Sequence, residues 1–459
     1  MFAAIANTFS NCFKIPELKS RILFTLLVLG VCRIIAFVPV PGLDASALNE
    51  WFKHNAGQVS GSVVGMYSLF TGGAMRKCAV GALGIMPYIT ASIIIQLLSA
   101  VLPGLSKLAR EEGGRAKIIQ YGRYLTVLLC LGHGTLMTLG WENPSTLFSG
   151  FTKPLVMIDN IWWYRIQTIL VLTTGTLLLM WLGEQITERG IGNGISLIIT
   201  IGIVADLPVA GQALWEMFFP PEGIEHRFNL FHGIGLVLLL CAVVAGVIAV
   251  TQAQRKIPVQ YAQRAVGRKV YAGSSSFMPL RVNYAGVMPI IFAQAILMFP
   301  SMILERLGAL TNIKFFTELA VNLNRGHWLY YLLYTLMILF FSYFWVATQF
   351  NEIQISDDLK KYGGYIPGVR PGQATSDYLH RTMSRITLAG AIFLTAIALI
   401  PQLMGQLFNI NPYVSQFFGG TSMLITVGVL LDTMRQMETH LLMRHYDGFL
   451  KKGRLKGRF

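Results

Sequence analysis

Charged residues are scarce in this chain, making up 13% of its 459 residues, whereas hydrophobic residues make up 54% and the mean hydropathy is +0.55. A soluble globular protein carries about 25% charged residues. The apolar runs are long and continuous rather than alternating with a period of two, which excludes a membrane β-barrel. The composition therefore predicts an all-α, polytopic membrane protein with enough apolar length for a buried helical core.

The sequence also has few of the patterns that carry catalytic or metal-binding chemistry. Its five cysteines have neither metal-ligand nor CxxC spacing, which is typical of small buried hydrophobic residues. The histidines are scattered, and no nucleophile stands beside a base. The glycine-rich segment at 190–194 lacks the lysine of a phosphate-binding loop. We therefore predict no cofactor, no metal and no enzymatic activity.

Ten segments are apolar and long enough to cross a bilayer, which takes about 20 helical residues. Lysine and arginine concentrate in alternate loops, so the positive-inside rule puts those loops and both termini in the cytoplasm. Ten spans with both ends inside divide into two five-helix halves of inverted topology, residues 1–217 and 218–459. The predicted spans are residues 21–40, 78–101, 120–140, 160–183, 192–217, 231–251, 283–304, 328–349, 385–406 and 418–438.

One short apolar segment, residues 63–77, cannot span a bilayer. It contains a glycine pair, Gly72 and Gly73, and the next apolar run is broken by Gly84 and Pro87. Irregular backbone at membrane depth persists only where protein buries it or water bathes it. We therefore predict a half-helix inside a cavity, and such a cavity implies that something passes through the protein.

Two cytoplasmic loops, residues 252–282 and 350–384, are unusually long. The alternating pattern of the first loop predicts a projecting β-hairpin around Gly267. In the second loop, Ser356 is expected to cap a short helix that a glycine pair ends. A turn rich in proline and glycine then presents Arg370.

Six stretches follow one another along nearly the whole chain: GGAMRKCAVGALGIMPYITASIIIQLL, GEQITERGIGNGISLII, QRKIPVQYAQRAVGRK, MPLRVNYAGVMPIIFAQAI, LKKYGGYIPGVRPG and FGGTSMLITVGVLLD. Together they resemble the SecY family of channel subunits in protein-conducting translocons. The chain departs mildly from the family pattern, with Glu352 where proline is usual and Arg281 where lysine is usual. The resemblance implies a gated conduit for unfolded polypeptide, built from two inverted five-helix halves.

The resemblance also implies an hourglass pore narrowed by a ring of isoleucines. β-Branched side chains are stiff at χ1, so a ring of them forms a gasket around an extended polypeptide. An apolar constriction also dewets and resists ions. Most isoleucines in spanning helices instead face lipid or pack, and the residues alone leave that alternative open. The ring residues that the resemblance implies are Ile85, Ile89, Ile195, Ile199, Ile291 and Ile425.

In this family, a plug blocks the outer funnel of the idle channel, and the half-helix at 63–77 resembles it. The short, glycine-broken segment with a cationic end favours something that moves in a water-filled funnel. The alternative is a re-entrant linker with no gating role. The plug residues that the resemblance implies are Tyr67, Leu69, Phe70, Gly72, Gly73 and Arg76.

The two long loops would dock the ribosome or the motor ATPase SecA, if the family pattern holds. Arginine suits both partners, because it pairs bidentately with phosphates and carboxylates. The alternative is that these cations, with those of the basic tail at 439–459, only fix the topology. The family also implies the small subunits SecE and SecG. The docking residues are Arg264, Arg268, Lys269 and Arg370.

Polar residues within the predicted spans are candidates for function. Gln96 and Gln294 fall on helices that flank the lateral opening in this family, where signal sequences leave for the lipid bilayer. They are hypothesised to form a polar seam there, although ordinary interhelical hydrogen bonding is the alternative. Arg33 and Asp432 lie in segments that helix packing would bury.

Two other classes remain open at this stage. A secondary transporter of small solutes would also have inverted repeats and broken helices, but it needs polar ligands at the breaks. A ribosome-binding membrane anchor would explain the basic loops but not the half-helix. The first 20 residues show neither a signal nor a transit peptide, which favours a bacterial inner membrane over a plastid membrane.

Overall fold

The structure is a computed structural model of a largely helical chain. It describes residues 15–54, 63–111, 113–144, 151, 153–219, 229–261, 264–266, 269–271, 275–311, 313–323, 326–408, 410, 414–415 and 421–452. The helices of the first half are α1 (Pro16–Ile35), α2 (Ala45–His54), α3 (Val63–Phe70), α4 (Met86–Val101), α5 (Pro103–Arg110), α6 (Gly114–Glu142), α7 (Ile161–Arg189), α8 (Gly194–Ala205) and α9 (Leu207–Phe218). A 3-10 turn, Met75–Lys77, lies between α3 and α4.

The second half of the chain adds helices and the strands of two small sheets. Its helices are α10 (Leu230–Gln252), α11 (Met288–Thr311), α12 (Lys314–Asn322), α13 (Trp328–Gln349), α14 (Glu352–Lys361), α15 (Gln373–Leu407) and α16 (Thr421–Lys452). The strands are β1 (Gln254–Tyr261), β2 (Arg264–Val266), β3 (Lys269–Tyr271), β4 (Ser275–Arg281) and β5 (Gly364–Tyr365).

Six helical segments of the described residues are long and apolar enough to cross a membrane, as a multi-pass membrane protein requires. They are α6, α7, α8 with α9, α10, α13 with α14, and α15. The apolar helix α4 and the apolar part of α11 are shorter. The fold class is confirmed, and the count of ten spans stays a prediction. Several predicted boundaries were wrong. Helix α1 begins at Pro16 rather than residue 21, α4 at Met86 rather than residue 78, and α15 at Gln373 rather than residue 385, while α16 ends at Lys452 rather than residue 438.

The long helices pack in two groups that follow the order of the chain. Helices α1, α4, α6, α7 and α8 contact one another, and so do α10, α11, α13, α15 and α16. The groups meet where α4 packs on α11 and where α8 packs on α16. A single large hydrophobic cluster runs through both groups. The core therefore lies along two seams that join the halves.

Asparagine side chains fix where two core helices begin. The Asn193 carboxamide oxygen accepts hydrogen bonds from the backbone N–H groups of Ile195 and Ser196 at the start of α8, at 3.1 and 3.3 Å. Asn160 accepts one from Trp163 at the start of α7. Such caps satisfy N–H groups that have no partner within the helix. The tight turn between α7 and α8 is thereby held in place.

The two long loops form one packed unit, which the sequence did not predict. Strand β1 pairs antiparallel with β4, and its far end pairs with β5 of the second loop through Gln260 and Tyr365. The predicted hairpin is confirmed by the antiparallel pairing of β2 with β3, although Gly267 at its tip lies outside the described residues. Apolar residues of β1, β4 and α15 bury against one another beneath the sheet.

The predicted cap of the helix in the second loop was wrong. Asn351 caps α14, because its side chain accepts a hydrogen bond from the Gln354 N–H at 3.1 Å. Ser356 lies inside the helix, where its buried hydroxyl donates to the Gly372 carbonyl at 2.6 Å. Gly363 follows the helix with φ of +73°, as the glycine pair predicted.

Candidate functional site

The half-helix α3 lies at the junction of the two helical groups. It contacts α8 of the first group and α11 of the second. The Tyr67 hydroxyl, which is buried, donates to the carbonyl of Leu83 at 3.0 Å. Phe70 is buried at the end of the helix, and Leu69 belongs to the same turn. The half-helix is therefore packed between the two helical groups.

The glycine pair after α3 turns the chain and brings it against α8. Gly72 and Gly73 have φ of +61° and +78°, a conformation that side-chain-bearing residues rarely adopt. A Cβ on Gly72 would lie 2.8 Å from Cα of Gly202 in α8. Only glycine allows this approach between two backbones.

A group of charges surrounds the end of the half-helix. Arg33 of α1 donates through Nη1 to the Gly72 carbonyl at 2.9 Å. Arg76 forms an ion pair with Asp206, which stands between α8 and α9. Lys77 places its ammonium 3.2 Å from the centre of the Phe37 ring, a cation–π contact. Sequence reasoning missed Asp206, although an acid within the predicted span 192–217 is the usual signal of function.

In the break after the half-helix, glycine and proline occupy positions that suit their backbone preferences. Gly84 has φ of +58°, and Pro87 lies in the first turn of α4. Ile85 precedes the helix, and its carbonyl accepts a hydrogen bond from the Ile89 N–H at 3.2 Å. The pair Ile85 and Ile89 is thus one helical turn apart at the start of α4.

Five of the six isoleucines implied for the ring are buried, with at most 4% of the side chain surface exposed. All six belong to or pack against the hydrophobic cluster that joins the two helical groups. Ile195 differs from the others, because it is half-buried and lies close to α7. A Cβ on Gly183 of α7 would be 3.6 Å from Ile195 Cγ1.

Two cavities lie along the helices that carry these isoleucines. A cavity of about 30 Å³, which Phe70 and Ile85 help to line, lies beside the half-helix. A larger one of about 360 Å³ opens on the side of the long loops and is lined by Arg281, Asp432 and Arg435, among others.

Three isoleucines lie one helical turn away from residues that line the larger cavity. Residues three or four apart share a helix face, so each isoleucine points along the same face as its partner. The pairs are Ser196 and Ile199 on α8, Val287 and Ile291 at the start of α11, and Val429 and Ile425 on α16. Ile85 itself lines the smaller cavity.

The two glutamines occupy different surroundings. Gln294 is buried on α11, and its Nε2 donates to the Thr421 hydroxyl of α16 at 2.6 Å. Gln96 is half-buried on α4. No hydrogen bond joins the two side chains within the described part of the chain. The observed partner of Gln294 lies in its own helical group, as ordinary interhelical hydrogen bonding requires.

Three of the four residues predicted to dock a partner lie in the described parts of the two long loops. Arg370 is exposed, in the turn between β5 and α15. Arg264 and Lys269 begin the two strands of the small hairpin, and Arg268 lies outside the described residues. Because β1 pairs with β5, the two loops present one continuous surface.

The geometry defines a class: a polytopic helical membrane protein in which a half-helix lies between two helical groups that share an apolar core. The sequence profile of the SecY family matches residues 79–434. The protein translocase subunit SecY of Thermotoga maritima is 43% identical over 458 residues, covering 98% of this chain and 99% of the relative. The chain therefore belongs to the SecY family.

Solved structures share the fold. The structure of a protein conducting channel matches with a TM-score of 0.60 at 20% identity, over 94% of this chain and 96% of that chain. Sec61 in the canine ribosome-channel complex from the endoplasmic reticulum matches with a TM-score of 0.56 at 19% identity, over the same shares of the two chains. The resemblance stated from the sequence motifs is confirmed.

Proposed function

We propose that this chain is the conduit of a protein translocation channel. The six isoleucines implied for the ring surround the unfolded polypeptide as it passes. The observation that carries the proposal is the burial of Ile85, Ile199, Ile291 and Ile425 in the apolar cluster that joins the two helical groups. A dry constriction blocks ions while it yields to an extended chain. A solute transporter would need polar ligands at these positions.

The half-helix serves as the plug of the idle channel. It sits between α8 and α11, and its contacts with both helical groups would break when the groups separate. Its C-terminal connection is tied to the chain after α1, because the Val40 N–H donates to the Cys78 carbonyl at 2.8 Å. The plug, residues 63–77, therefore swings out about residue 78, which stays tied to the chain after α1.

The seam between α4 and α11 is the lateral gate. A hydrophobic signal segment gains free energy by leaving water for lipid, so it wedges into this seam and spreads the halves, residues 1–217 and 218–459. Gln294 of α11 donates to Thr421 of α16, and Gln96 lies on α4, the other helix of the seam. Spreading opens the constriction and releases apolar segments sideways into the bilayer.

The work of transport comes from partners that dock on the surface formed by the two long loops. The ribosome and the motor ATPase SecA both suit this surface, since Arg370 and the hairpin cations pair with phosphates or carboxylates. The ribosome complex of the canine neighbour is consistent with such docking. SecE and SecG complete the complex in a bacterial inner membrane, with both termini in the cytoplasm.

Cysteine crosslinking tests the conduit directly. Single cysteines at Ile85, Ile199, Ile291 and Ile425, in a chain without its native cysteines, should each form a disulfide with a signal-bearing polypeptide stalled in transit. The reason is that an extended chain within an isoleucine ring touches every member of the ring. The measurement is the yield of the crosslinked adduct on a non-reducing gel.

Matched controls are isoleucines within spans that are exposed on the outside of the protein. Ile166 of α7 and Ile392 of α15 have 53% and 55% of their surface exposed, so cysteines there should stay silent. If the four ring positions are silent while the polypeptide still crosses the membrane, the pore assignment is wrong. The transporter and anchor hypotheses would then return.

A charge reversal tests the docking surface. Arg370→Glu should weaken binding of the purified complex to ribosomes or to SecA about tenfold, because it turns an attractive charge into a repulsive one at a contact. The measurement is co-sedimentation with ribosomes and equilibrium binding of SecA. Arg189→Glu, an exposed arginine at the end of α7 outside both loops, carries the same change in net charge and should leave both affinities within about twofold.

A further inference from the structure

The ion pair between Arg76 and Asp206 differs from the other arginine–carboxylate pairs that join helices. Arg123 and Arg165 of α6 and α7 each bind a glutamate of the neighbouring helix through both Nε and Nη2, at distances between 2.7 and 3.1 Å. Bidentate pairs of this kind fix orientation as well as contact. Arg76 reaches Asp206 through Nη2 to Oδ1 only, among the described contacts.

Burial makes this single contact important to the closed arrangement. The side chains of Arg76 and Asp206 are only 13% and 8% exposed, against 47% for Arg123. The second carboxylate oxygen of Asp206, Oδ2, is buried and accepts no hydrogen bond from the described residues. Removing one partner of a buried pair leaves the other charge uncompensated, which strongly destabilises that arrangement.

The surrounding charges make the closed position of the plug depend further on Asp206. Arg33, Arg76 and Lys77 are close enough for their charges to act on its carboxylate, and they also repel one another. Asp206 is the acid that offsets these three cations. Without it, the two cations of the plug segment and the cation of α1 would repel each other across the seat of the plug.

One member of the pair moves when the channel opens, and the other stays in place. Arg76 belongs to the plug segment 63–77, which moves, and it precedes Cys78, whose carbonyl is tied to Val40. Asp206 stands at the end of α8, the helix that also carries Gly202 and Ile199. Movement of the plug away from α8 therefore breaks the pair.

We infer that Asp206 is a positioning residue of the gate, and that its single-contact ion pair with Arg76 holds the plug against α8 in the idle channel and releases it on opening. This inference rests on the proposed role of residues 63–77 as a plug. A monodentate pair stabilises the closed state, yet only one hydrogen bond is lost when it breaks, whereas a bidentate pair loses two.

The test is the open probability of the purified complex in a planar bilayer without a translocating polypeptide. Asp206→Asn and Arg76→Gln should each raise it about tenfold or more, because each leaves a buried charge unpaired in the closed state. The double variant Asp206→Asn with Arg76→Gln should leak no more than either single variant, since both remove one interaction. Exchange of the two residues, Arg76→Asp with Asp206→Arg, should restore the seal.

The control is Asp159→Asn, an exposed aspartate in the loop before α7, which should leave the open probability unchanged. Open probabilities of the single variants within about twofold of this control overturn the inference. So does additive leakage in the double variant. Where one single variant folds poorly, the exchange variant still tests the pair, and a leaking exchange variant overturns the inference. If the latch variants stay sealed while Gly72→Ala leaks, the plug stands and the latch fails; if all of them stay sealed, the plug assignment itself fails.

Discussion

Replacing Gly194 with alanine should lower the free energy of unfolding of this protein by about 3 kcal/mol, near the upper end of the range for overpacking. A Cβ at this position would lie 1.9 Å from the carbonyl oxygen of Gly183 and 2.9 Å from Cβ of Ile186, both in α7. The nearest atom belongs to the backbone, so no side chain can turn aside to make room. The measurement is thermal unfolding of the purified complex in detergent.

The structural reason is the tight turn that joins α7 to α8. The Gly194 N–H donates to the Thr187 hydroxyl at 2.9 Å, and Asn193 caps the helix one residue earlier. Displacing residue 194 therefore breaks the packing of the two helices together with the bond to Thr187. Because α8 carries Ile199, Gly202 and, at its end, Asp206, the same displacement should also disturb the constriction and the seat of the plug.

Two glycines provide graded controls for this prediction. A Cβ on Gly183 would meet Ile198 Cδ1 at 3.2 Å, the end of a flexible side chain, so Gly183→Ala should cost less than Gly194→Ala. Gly211 in α9 has open space around it, so Gly211→Ala should be neutral or stabilise by up to about 1 kcal/mol. Equal effects at all three positions would contradict the steric argument.

The sequence predicted the features that depend on local chemistry. The short apolar segment with its glycines indicated a half-helix, and Gly84 with Pro87 marked the break before α4. The alternation of residues in the first loop indicated the pairing of β2 with β3. Each of these follows from backbone preferences that a few neighbouring residues determine.

Features that depend on residues far apart in the chain were not predicted. The pairing of β1 with β5 joins residues more than 100 positions apart, and β5 has only two residues, too few to show a pattern. The cap of α14 was placed at Ser356 because serine is a common capping residue, but Asn351 starts the helix earlier. The Arg76–Asp206 pair joins residues 130 positions apart.

The contacts of the plug suggest how one movement opens the channel. The half-helix touches one helix of each group, and the strongest polar ties of the segment run to α1 and α8 of the first group. Under the proposed mechanism, a signal segment that spreads α4 from α11 would first break the contact between α3 and α11. The plug would then be held only by its polar contacts with α1 and α8. Whether those contacts break would determine whether the plug moves away.

Gly72→Ala should make the idle channel leak, because it acts on the seat of the plug at its closest contact. A Cβ there would lie 2.5 Å from Arg33 Nη1 and 2.8 Å from Cα of Gly202, and the backbone has φ of +61°. The left-handed conformation costs about 1–2 kcal/mol for alanine, and the overlap with Gly202 costs about 1–3 kcal/mol more. Together these favour the displaced plug by roughly a hundredfold, which single-channel recording without substrate would detect.

Two variants separate the steric cause from the conformational one. Gly113→Ala, before α6, also places alanine at positive φ, +78°, but meets nothing within 4 Å, so it should keep the seal. Gly202→Ala would place its Cβ 3.4 Å from the Gly72 nitrogen, an ordinary contact, and should keep the seal as well. A folded Gly72→Ala complex that conducts no more than these two controls would show that residues 71–74 do not seal the pore, because the closest backbone approach in the seat would then be irrelevant to conduction.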